Sequence, residues 1–372
     1  MSQTKAQLVS GTTAQDLTVD NINTTSINSG QTSGKKNLVI NGAMNIAQRG
    51  TSSTSSGYAT LDRFKLTIAN TDQAAFTQKQ VTDSPDDFSQ SYEFDVTTAE
   101  TSLDSNEYAF IGHRIEAQNL QSVKANQVTL SFHVKAKQTG TYAINIYQSD
   151  GNIQVTKTYT ISQTATWEKK TLTFPANTGT QPNNDNGFGW EIAWIMAAGS
   201  DLTSSDSTSW GTYSDAGFAF GQGVNVLSST DNYFKITGVQ LEVGSTATDF
   251  EHRTFGEELA LCQRYFFKVQ GDQGDRVGIG GYATGSSEAR FDAVFPVTMR
   301  SNPTLGGAGT AQFDSNPDSA DFNCSSLTID ATPTGFISSI GLQIATSSMT
   351  GGTSGGIRFR SNSSSITFSA EL

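Results

Sequence analysis

The chain has 372 residues, of which 35% are hydrophobic and 16% charged, with 35 Gly, 22 Phe and 10 Tyr. So little charge excludes a disordered polyelectrolyte, and the aromatic, turn-rich remainder reads as an all-β protein with room for two or three domains. The formal net charge of −12 argues against nucleic acid or an anionic membrane as partner, because both need clustered Lys and Arg, and no stretch approaches a membrane span.

The opening "MSQTKAQLVSGTTAQD" lacks the apolar core of a secretory signal. Residues 1–36 place isolated Leu17, Val19, Ile22 and Ile27 among polar neighbours, with neither helix nor strand periodicity. Such a strip cannot bury itself, so it is expected to be a tether or attachment segment.

Residues 37–253 repeat short amphipathic strands. In "VTLSFHVKA", Val128, Leu130, Phe132, Val134 and Ala136 share one face, and His133 falls on the polar one. "TYAINIY" repeats the pattern with Tyr142, Ile144 and Ile146, and "GWEIAWIM" with Trp190, Ile192, Trp194 and Met196. In "YFKITGVQLEV" the parity of Phe234 and Ile236 differs from that of Val239, Leu241 and Val243. A bulge near Gly238 would restore one inward face. Many such strands with turns between them and no intervening helix predict a jelly-roll β-sandwich.

A single helix is predicted over 254–268. Thr254 and Glu257 form a capping box, Glu257 and Glu258 suit the first turn, and Arg264 and Lys268 suit the last. Phe255, Leu259, Cys262 and Phe266 make one apolar stripe; Leu261 and Tyr265, widened by Phe267, make a second. One sandwich surface covers one stripe, so the other needs the following domain or another copy of the chain. Residues 269–372 read as a smaller β domain, with Phe291, Ala293 and Phe295 alternating against Arg290, Asp292 and Val294.

Enzyme signatures are weak. Ser354 in "GTSGG" matches G-x-S-x-G without the helix that a nucleophile elbow requires, and "GIGGYA" at 278–283 has no βαβ unit. His113 shares parity with Ile111 and Ile115 and is expected to be buried. The three histidines and two cysteines lack zinc spacing, Cys262 and Cys324 are expected as free thiols, and no cofactor is expected. The neighbouring pairs Asp86–Asp87 and Glu257–Glu258 diverge too far for acid–base work. Sugars stack on exposed rings. Trp190 and Trp194 have core parity, whereas Trp210 and Tyr213, in the polar stretch "STSWGTYSDAG", are the glycan-binding candidates.

Longer segments carry a resemblance. "KKNLVINGAMNIAQRGTS" (35–52) and "YATLDRF" (58–64) resemble the opening of tail-fibre proteins of tailed bacteriophages. "GVQLEVGSTATDFEHRTFGEELALCQRYF" (238–266) resembles their closing strand and helix, and "FPVTMRSNPTL" and "SAEL" their distal β domain. "YAFIGHRIEAQNL", "VTLSFHVKAKQTGTY" and "WEKKTLTF" are similar to carbohydrate-binding modules of the galactose-binding jelly-roll type. The resemblance implies a non-enzymatic virion protein, assembled in the host cytoplasm as a homotrimer. It would join other tail or baseplate proteins through its N-terminal segment and meet a host-surface glycan or protein with its distal domains. The helix would then sit at the trimer axis, with Phe255, Leu259, Leu261, Cys262, Tyr265 and Phe266 at the interface. It also implies a weak calcium candidate at Asp185 in "PNNDNG", where an Asn-rich turn is the competing reading. A polysaccharide-depolymerase tailspike, with carboxylates distant in sequence meeting in space, and a connector or capsid appendage that touches no receptor are the alternatives.

Overall fold

The computed structural model describes residues 26–27, 30–31 and 36–372, apart from 309–310, 316–319, 332–336 and 346–348. The segment expected as a tether therefore lies almost entirely outside the described residues. Its described part is a pair of two-residue strands, β1 (Ser26–Ile27) and β2 (Gly30–Gln31). No helix among the described residues is long and apolar enough to cross a membrane.

The chain forms an all-β jelly-roll sandwich, one short helix and a smaller β domain. The first six-stranded sheet runs β13 (Gly211–Thr212), β10 (Ile153–Ile161), β9 (Gly140–Gln148), β12 (Phe188–Ala198), β7 (Tyr108–Glu116) and β4 (Phe64–Ala69). The second runs β11 (Glu168–Phe174), β8 (Val128–Ala136), β14 (Tyr233–Val243), β6 (Ser91–Thr98), β5 (Ala75–Val81) and β3 (Ser52–Ser53). Their inward faces meet in one core. Leu130, Phe132 and Val134 of β8, Ile144 and Ile146 of β9, and Ile192 and Trp194 of β12 are all fully buried there.

The phase change in β14 is a bulge. Pairing with β8 shifts register between Thr237 and Gln240, and Phe234, Ile236, Val239 and Leu241 all reach the core. Gly238 adopts φ +61°, and a Cβ there would meet the Phe88 ring at 2.5 Å and His133 Nδ1 at 2.9 Å. Glycine is required on both counts. His133 departs from its expected exposure. Phe88 closes over it at 5.3 Å between centroids, and burial holds its pKa below the usual histidine value.

The helix, α1, spans Phe255–Gln263 and starts on the expected capping box, with Thr254 N–H donating to Glu257 at 3.0 Å. It ends five residues before the predicted limit. Arg264 is its C-cap and turns its guanidinium to Glu116 at 2.8 Å. Phe266–Gly271 is a strand, β15, because it pairs with β24 (Ser364–Ser369). Lys268 thus belongs to a strand and not to a helix terminus. β15, β24 and β18 (Thr304–Ala308) make a three-stranded sheet. It faces a seven-stranded one of β20 (Ala320–Asn323), β19 (Ala311–Ser315), β23 (Ser354–Phe359), β16 (Arg276–Ala283), β17 (Glu288–Met299), β22 (Ile337–Ala345) and β21 (Ser326–Ala331). Phe291, Phe295, Phe313, Phe359 and Phe368 fill the core of this domain. Ser354 opens a strand rather than a nucleophile elbow, and "GIGGYA" lies within β16.

The predicted interface residues are mostly hidden by their own chain. Cys262, Tyr265 and Phe266 are buried. The Arg63 guanidinium stands 3.5 Å over the Tyr265 ring and that of Arg49 stands 3.6 Å over Phe266. Leu259 and Leu261 are half-buried, and Phe255 alone of the six is open, at 64% exposure. The second stripe is thus covered by the sandwich and the C-terminal domain together. Cys262, Tyr265 and Phe266 have no surface left to offer another copy, and this corrects their assignment to a trimer interface.

Candidate functional site

The other face of the first sheet is partly covered by its own chain, with Phe110, Ala143, Ala193 and Ile195 packed under Leu202, Phe218 and Ala219, and period-2 alternation puts a second set of side chains there. Cross-strand register aligns Lys65 of β4 with Gly112 of β7 and Gly112 with Ala193 of β12. The adjacent row holds Arg114, Glu191 and Tyr147. Gly112 and Ala193 leave the middle of this face low. A Cβ on Gly112 would meet the Phe110 ring at 3.0 Å and Glu191 Oε1 at 3.2 Å.

On this face lies a cleft of about 730 Å³, lined by Lys65, Arg114, Glu191 and Tyr147 among others. Six of its lining residues are aromatic, in two groups. Tyr108 and Phe110 stack at 6.0 Å and 13°, with Phe218 set edgewise to them at 5.9 and 5.5 Å. Tyr147 contacts Phe188 at 5.9 Å and Tyr213 at 5.1 Å. Tyr213 and Phe218 come from the connection after β13, on either side of the 3-10 turn Asp215–Gly217.

Polar groups are interleaved with these rings. Tyr147 donates its hydroxyl to Asn152 Oδ1 at 3.1 Å and Tyr213 to Asp215 Oδ1 at 2.8 Å. Burial and the Asp215 carboxylate push the Tyr213 hydroxyl pKa up, so it remains a neutral donor. Arg114 Nε donates to Glu191 Oε1 at 2.8 Å, another of its nitrogens donates to the main-chain oxygen of the last residue, Leu372, at 2.7 Å, and its guanidinium stands 4.4 Å over Phe188. Lys65 is half-buried at the edge of the cleft, and burial together with the Arg114 charge lowers its pKa. Ring faces beside fixed hydroxyl, amide, carboxylate and cationic groups suit a ligand with apolar C–H faces and many hydroxyls.

Tyr213 therefore lines the cleft, and Trp210 does not. The Trp210 indole donates to the Pro175 carbonyl at 2.8 Å and packs on Trp190 at 5.5 Å, closing the edge of the core. Trp190 and Trp194 are core residues, as their parity predicts. Asp185 accepts from the Gly187 amide at 2.9 Å, the geometry of an Asn-rich turn. Among the described residues the carboxylates close enough to share a cation are those of Asp72, Glu100 and Glu107, within 4.8 Å of one another. The remaining cleft rings escaped the sequence reading. Their trace is in "YAFIGHRIE", where Tyr108, Phe110 and Arg114 alternate against Ala109, Ile111 and Ile115, so that both faces are substantial.

No protein-family model and no curated protein matches the chain. Solved structures are similar over about half of it. A putative sugar binding protein from Bacteroides thetaiotaomicron is 13% identical, over 56% of this chain and 100% of its own, with a TM-score of 0.36. The family 11 carbohydrate-binding module of a Clostridium thermocellum cellulosomal cellulase is 12% identical over 55% of this chain and 98% of its own, TM-score 0.28. The enzymatically active domain of tailspike protein 4 from bacteriophage CBA120 is 16% identical over 56% of this chain, TM-score 0.32. The match spans 21% of that tailspike chain. The assignment of the sandwich rests on the strand pairing itself.

Proposed function

We propose that the protein binds a carbohydrate in the cleft on the outer face of the first sheet, as the host-contacting part of a bacteriophage tail appendage. The observation that carries the binding reading is the cleft, lined by six aromatic residues, of which Tyr108, Tyr147, Phe188 and Tyr213 are only partly buried, with hydroxyl, amide and carboxylate groups between them. Glu191 is neutralised by Arg114, and Asp215 accepts from Tyr213, which supports binding over hydrolysis. Glycan-array screening of the purified chain, repeated with Tyr147→Ala, tests this reading. Loss of a reproducible glycan signal in the variant is expected, and absence of any signal from the parent rejects it. Incubation with host polysaccharide tests the depolymerase alternative, and shorter products would establish it.

The appendage reading is supported by the segments that resemble tail-fibre sequences, because they clamp one another. Asn37 Nδ2 donates to the Val239 carbonyl at 3.0 Å, the Asn41 amide to Glu258 at 2.6 Å, and Gln48 Nε2 to the Phe266 carbonyl at 2.9 Å, while Arg49 pairs with Glu371 at 3.1 Å. These residues hold the module together, which gives a reason for the shared pattern. The homotrimer, the virion location and attachment to other tail proteins through residues 1–36 follow from that resemblance. The covered helix no longer demands extra copies. Competition of the purified protein with whole virus for host cells separates a receptor binder from a connector.

A further inference from the structure

Resting on the reading of the cleft as a sugar site, we infer that the tail formed by residues 370–372 positions Arg114 in that site, so that its Nη2 nitrogen donates to a ligand hydroxyl. Arg114 lines the cleft. Its Nε is bound to Glu191 Oε1 at 2.8 Å and its Nη1 to the main-chain oxygen of Leu372 at 2.7 Å, and Nη2 has no hydrogen-bond partner among the described residues. The guanidinium is planar, so two nitrogens held at two points define the direction of the third. The Phe188 ring, 4.4 Å away, sets the tilt of that plane but leaves it free to turn over the ring. Glu191 supplies one fixed point and the tail supplies the other. A donor held in place before binding loses less side-chain freedom when the ligand arrives, which raises affinity.

The tail can act in this way because it is itself held. It follows β24, and its first residue, Ala370, is buried. The Ala370 amide donates to the Tyr265 carbonyl at 2.7 Å, and the Glu371 carboxylate pairs with Arg49 at 3.1 Å and with Arg63. Arg300, which does not line the cleft, completes the hold. Its Nε donates to the Ala370 carbonyl at 2.7 Å, its Nη2 to the Glu371 carbonyl at 3.0 Å and its Nη1 to the Asn186 carbonyl at 2.8 Å, which ties the tail to the loop before β12. The charges of the cleft decide which ligand group Nη2 meets. Glu191 compensates the Arg114 charge, and Asp201 and Asp215 add two more carboxylates to the lining. With no surplus of cation, the fitting acceptor is a neutral sugar hydroxyl and not an acid.

The test titrates the full chain calorimetrically with four neutral probes, cellotetraose, xylotetraose, galactotriose and mannotriose. The parent is expected to bind at least one of them, Arg114→Ala to bind it about 10-fold more weakly and Arg300→Met about 5-fold more weakly, the loss of roughly one net hydrogen bond. Arg300→Lys keeps a donor for the tail and should stay within about 2-fold of the parent. In the Arg114→Ala background, Arg300→Met should change affinity by less than about 2-fold, because the tail acts through Arg114. Parent affinity in Arg114→Ala or in Arg300→Met, or the same loss from Arg300→Met in both backgrounds, overturns this inference and leaves the sugar-site reading intact. Should Arg300→Met not fold, hydrogen exchange of the parent decides. Saturating probe should slow exchange of the Ala370 amide by about 3-fold or more, since coupling between ligand and tail is reciprocal, and unchanged exchange overturns the inference. Binding of none of the four probes by a chain with native circular dichroism overturns both.

Discussion

Arg63 and Glu371, 308 residues apart in the chain, form an ion pair with no exposure on the arginine side and almost none on the carboxylate. Arg63 also donates to the Arg114 carbonyl at 2.6 Å and covers the Tyr265 ring. Burial opposes its charge, yet the Glu371 carboxylate keeps its pKa above the usual arginine value. The jelly roll, the residues after the helix and the segment that follows the last strand of the C-terminal domain are tied at this point. Arg63→Met leaves the buried Glu371 carboxylate with Arg49 as its remaining cation and is expected to lower unfolding free energy by roughly 3 kcal/mol, the low end for breaking a buried pair. Arg63→Met with Glu371→Leu should recover part of that loss. Urea denaturation of the two variants reads both values.

Asp62 gives the protein a defined pH response. It is buried, and burial raises its pKa to about 7 against the pull of Arg49 and Gln48. In the unfolded chain the same group titrates near 3.9, about three units lower. A raised folded pKa means that its stabilising contribution is complete below about pH 4 and is lost as pH rises to about 7, with a slope near 1.4 kcal/mol per unit. Asp62→Asn removes this titration. Unfolding free energies of parent and variant between pH 4.5 and 8 should converge or cross in the variant's favour as pH rises, and parallel curves would refute the assignment.

Gly238 sets the β14 bulge with a left-handed backbone and the Phe88 ring against its α-carbon. Gly238→Ala is expected to cost about 2 kcal/mol or more, since the added methyl is both strained and overlapped. Thermal melting should show a clear drop in Tm, and an unchanged Tm would mean that the bulge relaxes freely.

The two aromatic candidates read from the same stretch should separate by assay. Tyr213→Ala removes a half-buried cleft ring that packs on the outer cluster, so glycan affinity should fall about 10-fold with a smaller loss of Tm than Trp210→Ala gives. Trp210→Ala opens the core edge beside Trp190 and should lower stability by about 3 kcal/mol with affinity retained in the folded fraction. The opposite pattern would return Trp210 to the binding site.

Sedimentation equilibrium measures assembly directly. A homotrimer has three times the 39.6 kDa mass of the chain, and this value is expected at micromolar concentration. A folded monomer under those conditions would remove the fibre reading while leaving the cleft untouched.

What the sequence determined alone was everything that depends on near neighbours in the chain. Alternation in β8 and β12 declares the buried face because side chains point up and down with a period of two, whatever the strand pairs with. The capping box at Thr254 and the bulge at Gly238 are equally local, and both stand where the pattern put them. Residues 264–268 were different. Phe266 and Phe267 satisfy a helical stripe and a strand equally well, and only the pairing of β15 with β24, about a hundred residues away, selects the strand. The cleft is the extreme case. Tyr108, Tyr147, Phe188 and Phe218 share no spacing, and the order β9, β12, β7, β4 together with the connection after β13 brings them to one cleft with Lys65 and Arg114. Tertiary structure decided those contacts because strand order and domain docking are set by the summed burial of distant faces, a quantity that no local window contains.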